Sequence, residues 1–203
     1  MIRIYLASAS PRRKEILETM RLSFEVVTAD ADESVENGLS PLAIGEGLAT
    51  KKALALKEKL KADGTFDSET VIIAADTLVW CDGARLGKPR DEKDAFEMLM
   101  ALSGKEHRVC TGTCVIFGER SISSCDESIV RMRAFSEREA LSYVATGEPL
   151  DKAGAYGIQG IGSVLVKSID GDFFSVMGLS PTTVYRLFSA LRIPYFELIS
   201  EEN

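Results

Sequence analysis

The sequence predicts an α/β protein in which strands and helices alternate along the chain, and three observations carry that reading. A short apolar run, residues 2–6, gives way at Ser8 and Ser10 to a helix opened by Pro11. A longer run, residues 70–80, is almost wholly apolar and reads as a strand buried on both faces. Helix-start signals recur between such stretches, at Ser40-Pro41, at Ser136 with Glu139, and at Ser180-Pro181. At 203 residues with 45% hydrophobic content, the chain can fill one large domain or two small lobes.

Composition removes several function classes. A formal net charge of −7 argues against a protein that coats nucleic acid, which would carry a basic footprint. Arg3 interrupts the apolar start and no apolar run reaches 18 residues, so neither a signal segment nor a membrane span is expected and the cytoplasm is the default compartment. Cys81, Cys110, Cys114 and Cys125 lack paired zinc spacing and read as reduced core residues. His107 is the single histidine, so a multi-histidine metal site is excluded, a Ser-His-Asp or Cys-His arrangement would have to be built on it, and carboxylates and lysines are expected to carry any catalysis.

The first strand-to-helix corner is the most informative stretch. A helix N-terminus presents backbone N–H groups and the positive end of its dipole. Ser8, Ser10, Arg12 and Arg13 add two hydroxyls and two guanidinium forks within six residues. That is an anion site, most simply for phosphate; a well-capped helix with solvated arginines is the plainer alternative.

Residues 24–28 have strand composition and lead into Asp30, Asp32 and Glu33, either a solvated loop or a set of oxygen ligands for a hard cation. The helix opened at Ser40-Pro41 is expected to run through Lys61 and stop at Asp63-Gly64. Leu48, Lys52 and Leu56 share one face of it, so Lys52 should point at the protein body more than Lys51, Lys57 or Lys59. Asp76 interrupts the apolar run. A carboxylate removed from water costs several kcal/mol unless paired or metal-bound, which makes Asp76 the first candidate for catalysis; a structural Asp held by backbone amides is the alternative.

Asp82-Gly83 is a hairpin signal that brings Lys88 back toward the level of Asp76. Asp91 caps a helix with Ala95, Met98, Leu99 and Leu102 inward, closed at Ser103-Gly104. Residues 107–117 and 122–135 form a long hairpin around Gly118-Glu119, with His107 a structural hydrogen-bonding residue. Ser136 and Glu139 form a capping box for a helix ending at Gly147. Residues 147–162 hold five glycines among Glu148, Asp151, Lys152 and Gln159, a density that lets backbone approach a ligand. Strand, turn and strand follow over 164–176 around Asp170-Gly171, and the last helix runs from Pro181 to Leu191.

Cations for phosphate oxygens beside carboxylates for a divalent metal are the inventory of phosphoryl or nucleotidyl chemistry. No Walker lysine motif is present, which sets aside a P-loop kinase. Six blocks in order resemble one family over nearly the whole chain. They are Leu6-Ala7-Ser8-Ala9-Ser10-Pro11-Arg12-Arg13, Leu48-Ala49-Thr50-Lys51-Lys52-Ala53, Ala75-Asp76-Thr77, Gly87-Lys88-Pro89-Arg90, Leu102-Ser103-Gly104 with His107, and the run from Asp151 to Gly160. The sequence resembles the Maf family of nucleoside triphosphate pyrophosphatases.

The resemblance implies a single Maf-like domain over residues 1–203, an α/β fold whose central mixed sheet, flanked by helices, forms two lobes around a cleft, similar to the inosine-triphosphate pyrophosphatases. It implies cleavage between the α and β phosphates of a nucleoside triphosphate with a divalent cation, Mg²⁺ or Mn²⁺, and a homodimer. Asp76 falls on the family's proposed general base, and Arg13, Lys52 and Lys88 on its phosphate-handling positions. Glu33, with Asp76, is assigned to metal. Members acting on dTTP and UTP are similar to this chain in having Arg12, Thr77 and Gln159, whereas members acting on 7-methyl-GTP have Trp in place of Arg12 and a different Gly-rich loop. A glutamine amide both donates and accepts, which suits the uracil or thymine edge. The chain departs from the usual pattern at Ser180, where proline is common. The competing expectations are the same reaction on 7-methyl-GTP, and a nucleotide-binding regulator of cell division without turnover.

Overall fold

The computed structural model describes residues 1–35 and 38–199. Its strands are β1 (Arg3–Leu6), β2 (Glu25–Val26), β3 (Thr70–Cys81), β4 (Ala84–Leu86), β5 (Glu106–Phe117), β6 (Arg120–Met132) and β7 (Val166–Asp170). The helices are α1 (Pro11–Thr19), α2 (Pro41–Ala62), α3 (Glu92–Leu102), α4 (Glu137–Val144), α5 (Phe173–Met177), α6 (Pro181–Leu191) and α7 (Tyr195–Leu198). The seven strands make one sheet in the order β2-β1-β3-β5-β6-β7, with β4 on β3. β1 is parallel to β2 and β3, while β3 and β4, and β6 and β7, pair antiparallel, so the sheet is mixed as expected. No described helix is long and apolar enough to cross a membrane.

The chain divides into two compact units. The first comprises Met1–Asp76, Thr111–Asp126 and Gly178–Asn203, and the second Thr77–Cys110 and Glu127–Met177. In the first, Ala49, Ala53, Leu56 and Leu60 of α2 pack with Tyr5, Ile72, Ala74 and Ile116. In the second, Ala95, Leu99 and Leu102 of α3 meet Ala140 and Val144 of α4, with Tyr156 and Leu165 completing the core. The Met/Leu stripe of α3 is therefore core, with Met98 partly buried.

Local signals set the element ends. Ser40, Asp91, Ser136 and Ser180 each accept a hydrogen bond from the third residue beyond, and Ser136 with Glu139 forms the full capping box. Asp82 and Gly83 both take positive φ, 50° and 79°, the backbone a two-residue hairpin turn needs. The departure from proline at Ser180 costs α6 nothing, because the serine hydroxyl caps the helix by accepting from the Thr183 N–H at 3.1 Å.

β3 itself runs through Asp76 as read, with burial falling from complete to partial there. Three expectations are corrected. Of residues 24–28 only Glu25–Val26 form a strand, an edge strand exposed to solvent, with the Val27 N–H adding a bond to the Leu6 carbonyl at 3.1 Å. The second strand of the stretch 164–176 is the short helix α5. Asp172 Oδ1 accepts from the Phe174 N–H at 2.8 Å, and Ser128 Oγ accepts from the Asp172 N–H at 3.0 Å, so a contact 44 residues away ends strand pairing. Finally, Lys57 is buried more deeply than Lys52: its ammonium lies 5.3 Å from the centre of the Phe66 ring and pairs with Glu119 at 2.7 Å.

Candidate active site

β1 and β3 are parallel, with Leu6 opposite Ile73, and the Ala7 N–H continues the ladder to the Ile73 carbonyl at 2.8 Å. The chain leaves the sheet at Ser8, and Asp76 follows three residues after Ile73. Ser8 therefore stands just past the carboxyl end of β1, and Asp76 lies within β3 just past the end of its parallel pairing with β1, the side on which open α/β sheets place their ligands.

At this corner Ser8 is buried, and its Oγ accepts from the Ser10 N–H at 3.2 Å and from Arg13 Nη1 at 3.0 Å. Arg13 Nε donates to the Gly178 carbonyl at 2.9 Å, so the guanidinium is gripped from two sides. Burial draws Arg13 below the ordinary arginine value; the field of Asp76 opposes that shift, and Arg12 adds to it. Arg13 thus stands within electrostatic reach of both. Ser10 occupies the N-cap position of α1, as expected, but its hydroxyl makes no cap hydrogen bond, unlike those of Ser40, Ser136 and Ser180.

The carboxylates arrive from two directions. Lys52, on the face of α2 shared by buried Leu48 and Leu56, extends its ammonium to the Asp76 carboxylate and to Glu33 Oε1, the latter at 3.0 Å. The loop bearing Glu33 is held on α2 by neighbouring lysines. Lys51 donates to the Ser34 carbonyl at 2.8 Å, Lys59 donates to the Thr28 carbonyl at 2.9 Å, and Asp32 turns the loop by accepting from Ser34 N and Oγ. The acidic stretch is not simply solvated; it is tied down beside Asp76 by the helix that carries Lys52.

The remaining predicted residues lie in the second unit. Thr77 is the next residue of β3. Lys88 is exposed, two residues beyond Leu86, which pairs with Val79. The Gly-rich segment reaches this strand through the Gly154 N–H, which donates to the Gly87 carbonyl at 3.0 Å. It consists of three 3-10 turns, Glu148–Asp151, Ala153–Ala155 and Gly160–Leu165, with half-buried Gln159 leading into the last. The Gln159 amide has no hydrogen-bond partner among the described residues.

Residues 3–191 match the family described as Maf-like protein. The chain belongs to the Maf family. It is 43% identical over 204 residues, all of both chains, to a protein of Caldicellulosiruptor bescii named dTTP/UTP pyrophosphatase. Proteins of the same name from Aquifex aeolicus and Bacillus cereus strain B4264 are 42% and 44% identical, covering 95% and 88% of this chain and 97% and 90% of their own. The solved structure of the Staphylococcus aureus Ham1 protein aligns over 96% of this chain and 98% of its own, at 12% identity and a TM-score of 0.45.

In this Maf protein the first unit thus gathers Ser8, Arg13, Glu33, Lys52 and Asp76. Among the described residues no three Asp, Glu, Cys or His side chains form a group that could hold a metal ion. The donor set of Asp76 and Glu33 nevertheless suits a hard divalent cation, which uses one or two carboxylates and completes its shell with phosphate oxygens and water. The sequence reading missed the Gly178 carbonyl as the anchor of Arg13. A backbone acceptor 165 residues away carries no side-chain signal, and only the glycine ahead of the Ser180 helix start marks the place.

Proposed function

We propose that this Maf protein hydrolyses dTTP and UTP to the nucleoside monophosphate and pyrophosphate. The reading is supported by the names of its relatives and carried by one observation: an Asp76 carboxylate held by Lys52 where β3 passes the end of its pairing with β1, beside the Ser8 and Arg13 corner. The Asp76 carboxylate, held by Lys52, is placed to take a proton from water as that water forms a bond to phosphorus and the α–β anhydride bond breaks. Arg13, held from both sides, offers fixed positive charge for phosphate oxygens without reorganising during the reaction. Ser8, Ser10, Arg12 and Lys88 complete the triphosphate contacts in this reading. Asp76 and Glu33 would hold Mg²⁺ or Mn²⁺, whose chemistry when bound is to screen the triphosphate charge. Gln159, whose amide is unengaged, and Thr77 are assigned to the pyrimidine.

The test is pyrophosphate release from dTTP, UTP, CTP, dATP, GTP and 7-methyl-GTP with Mg²⁺ or Mn²⁺. Turnover is expected on dTTP and UTP, and Asp76→Asn should lower kcat by roughly 10² to 10⁴-fold, the usual contribution of a positioned base. Binding of dTTP or UTP without turnover would replace the enzyme by a nucleotide sensor. Release confined to 7-methyl-GTP would overturn the substrate assignment alone.

A further inference from the structure

The glycines around Gln159 do not stand open for a ligand: the space their missing side chains leave is filled from within. A Cβ at Gly160 would lie 2.8 Å from Glu148 Oε2, and one at Gly157 would lie 3.2 Å from Glu148 Oε1. A Cβ at Gly162 would collide with the Tyr143 hydroxyl. The same two side chains take the backbone hydrogen bonds of the segment. Glu148 Oε2 accepts from the Ile161 N–H at 2.9 Å, and Oε1 accepts from the Gly162 N–H at 2.9 Å and from the Tyr143 hydroxyl at 2.8 Å. The Tyr143 oxygen in turn accepts from the Gly157 N–H at 3.0 Å. Residues on both sides of Gln159 are therefore fastened to one carboxylate and one phenol, while the Gln159 amide is left to a ligand.

We propose that Glu148, oriented by Tyr143, is the positioning residue that fixes the loop backbone so that Gln159 meets the pyrimidine edge. This rests on the assignment of Gln159 to the base made above. The electrostatics agree. Burial works to raise the Glu148 carboxyl, yet the Gly162 and Ile161 amides, the Tyr143 hydroxyl and Lys152 outweigh it and hold it below the usual glutamate value. Burial, with the neighbouring acids, pushes the Tyr143 phenol well above its ordinary value, so it remains a donor to Glu148. A Gln at position 148 would turn an N–H₂ toward one of these donors, and Phe at 143 would remove both the donor to Glu148 and the acceptor for Gly157.

The experiment compares Glu148→Gln, Tyr143→Phe, Gln159→Ala and the double variant Glu148→Gln/Gln159→Ala with wild type. It reads amide hydrogen exchange, UTP and CTP kinetics, and UTP affinity by calorimetry. In Glu148→Gln the Ile161 and Gly162 amides should exchange at least about tenfold faster. UTP-over-CTP selectivity should fall roughly tenfold, with the UTP loss carried by KM more than kcat, which a general loss of folded protein would not produce. Tyr143→Phe, the gentler change, should move the Gly157 amide and the selectivity in the same direction if Glu148→Gln folds poorly. The double variant should lose no more selectivity than Gln159→Ala, because both lesions act through one side chain. Unchanged amide exchange in folded Glu148→Gln, retained selectivity, or multiplying losses in the double variant would each overturn the proposal. If wild type binds UTP without turning it over, the reaction falls and the same comparison is made on affinity. If Gln159→Ala leaves both affinity and selectivity unchanged, the base assignment falls and this proposal with it.

Discussion

At the scale of the residue, the buried groups outside the site state their protonation clearly. His107 is 3% exposed, its Nε2 shares a hydrogen bond with the Tyr156 hydroxyl at 2.8 Å, and its Nδ1 has no partner among the described residues. Burial holds it down to about 4, so it is neutral in the folded protein near neutrality. In the unfolded chain it titrates near its ordinary value of about 6.5. Between these values the unfolded state binds a proton that the folded state does not, so stability is complete above about pH 6.5 and is lost as pH falls through about 4. The loss attributable to this one ring, from pH 7.5 to pH 4.5, is on the order of 2 to 3 kcal/mol. His107→Gln keeps a polar partner for Tyr156 and does not titrate. Urea unfolding at the two pH values should show the variant losing less stability than wild type by that amount; equal losses would mean that His107 is not held neutral. Reading His107 as structural needed only its solitude in the sequence. That its ring would be sealed beside Tyr156, 49 residues away, had no local mark.

At the scale of the element, α2 decides the geometry of the site, because it carries Lys52 and clasps the Glu33 loop. Its approach to β5 is set by two glycines. The Gly45 carbonyl occupies the place where a Cβ on Gly112 would stand, while a Cβ on Gly47, on the exposed face of the same helix, would meet nothing within 4 Å. Gly112→Ala should therefore force α2 off the sheet, at about 1 to 3 kcal/mol or more, and lower turnover by moving Lys52 away from Asp76. Gly47→Ala should stabilise by up to about 1 kcal/mol, the helix propensity gain, and leave turnover intact. Urea midpoints of the two variants check the pair, and a Gly112→Ala protein as stable as wild type would show that the close approach does not govern the packing. Elements whose ends depend on neighbours in sequence were legible: the Ser136 capping box, the Asp82-Gly83 turn, the inward face of α3. Those that depend on distant partners were not. Residues 173–176 have strand composition and became α5 because Ser128 binds the backbone of Asp172, and Lys57 went inside because Phe66 and Glu119 receive it.

At the scale of the whole molecule, a chain of net charge −7 is assigned a polyanionic substrate, so its affinity must come from local cations rather than from the overall field. The sequence made those cations visible as types, since arginines at a helix start and a lysine on an apolar face are local patterns. It did not show that Lys52 would lie between two carboxylates. That arrangement determines how a metal can act here. Asp76 and Glu33 are already neutralised in part by an ammonium, and no third acid, thiol or imidazole joins them among the described residues. Two such carboxylates hold a divalent ion weakly by themselves, and Mg²⁺ completes its shell with phosphate oxygens and water. The metal should therefore be required for turnover and nearly irrelevant to the resting fold. Stabilisation by a ligand grows as RT ln(1 + [L]/Kd), which stays small while the ion's concentration is below its dissociation constant. Excess EDTA should abolish pyrophosphate release, and excess Mg²⁺ or Mn²⁺ should restore it. In the absence of nucleotide, EDTA should shift the melting temperature by less than about 1 °C. A drop of several degrees would reveal an ion resident in the fold, bound by more than this pair of acids. Turnover that persists in EDTA would show that Asp76 and Glu33 act without a divalent ion.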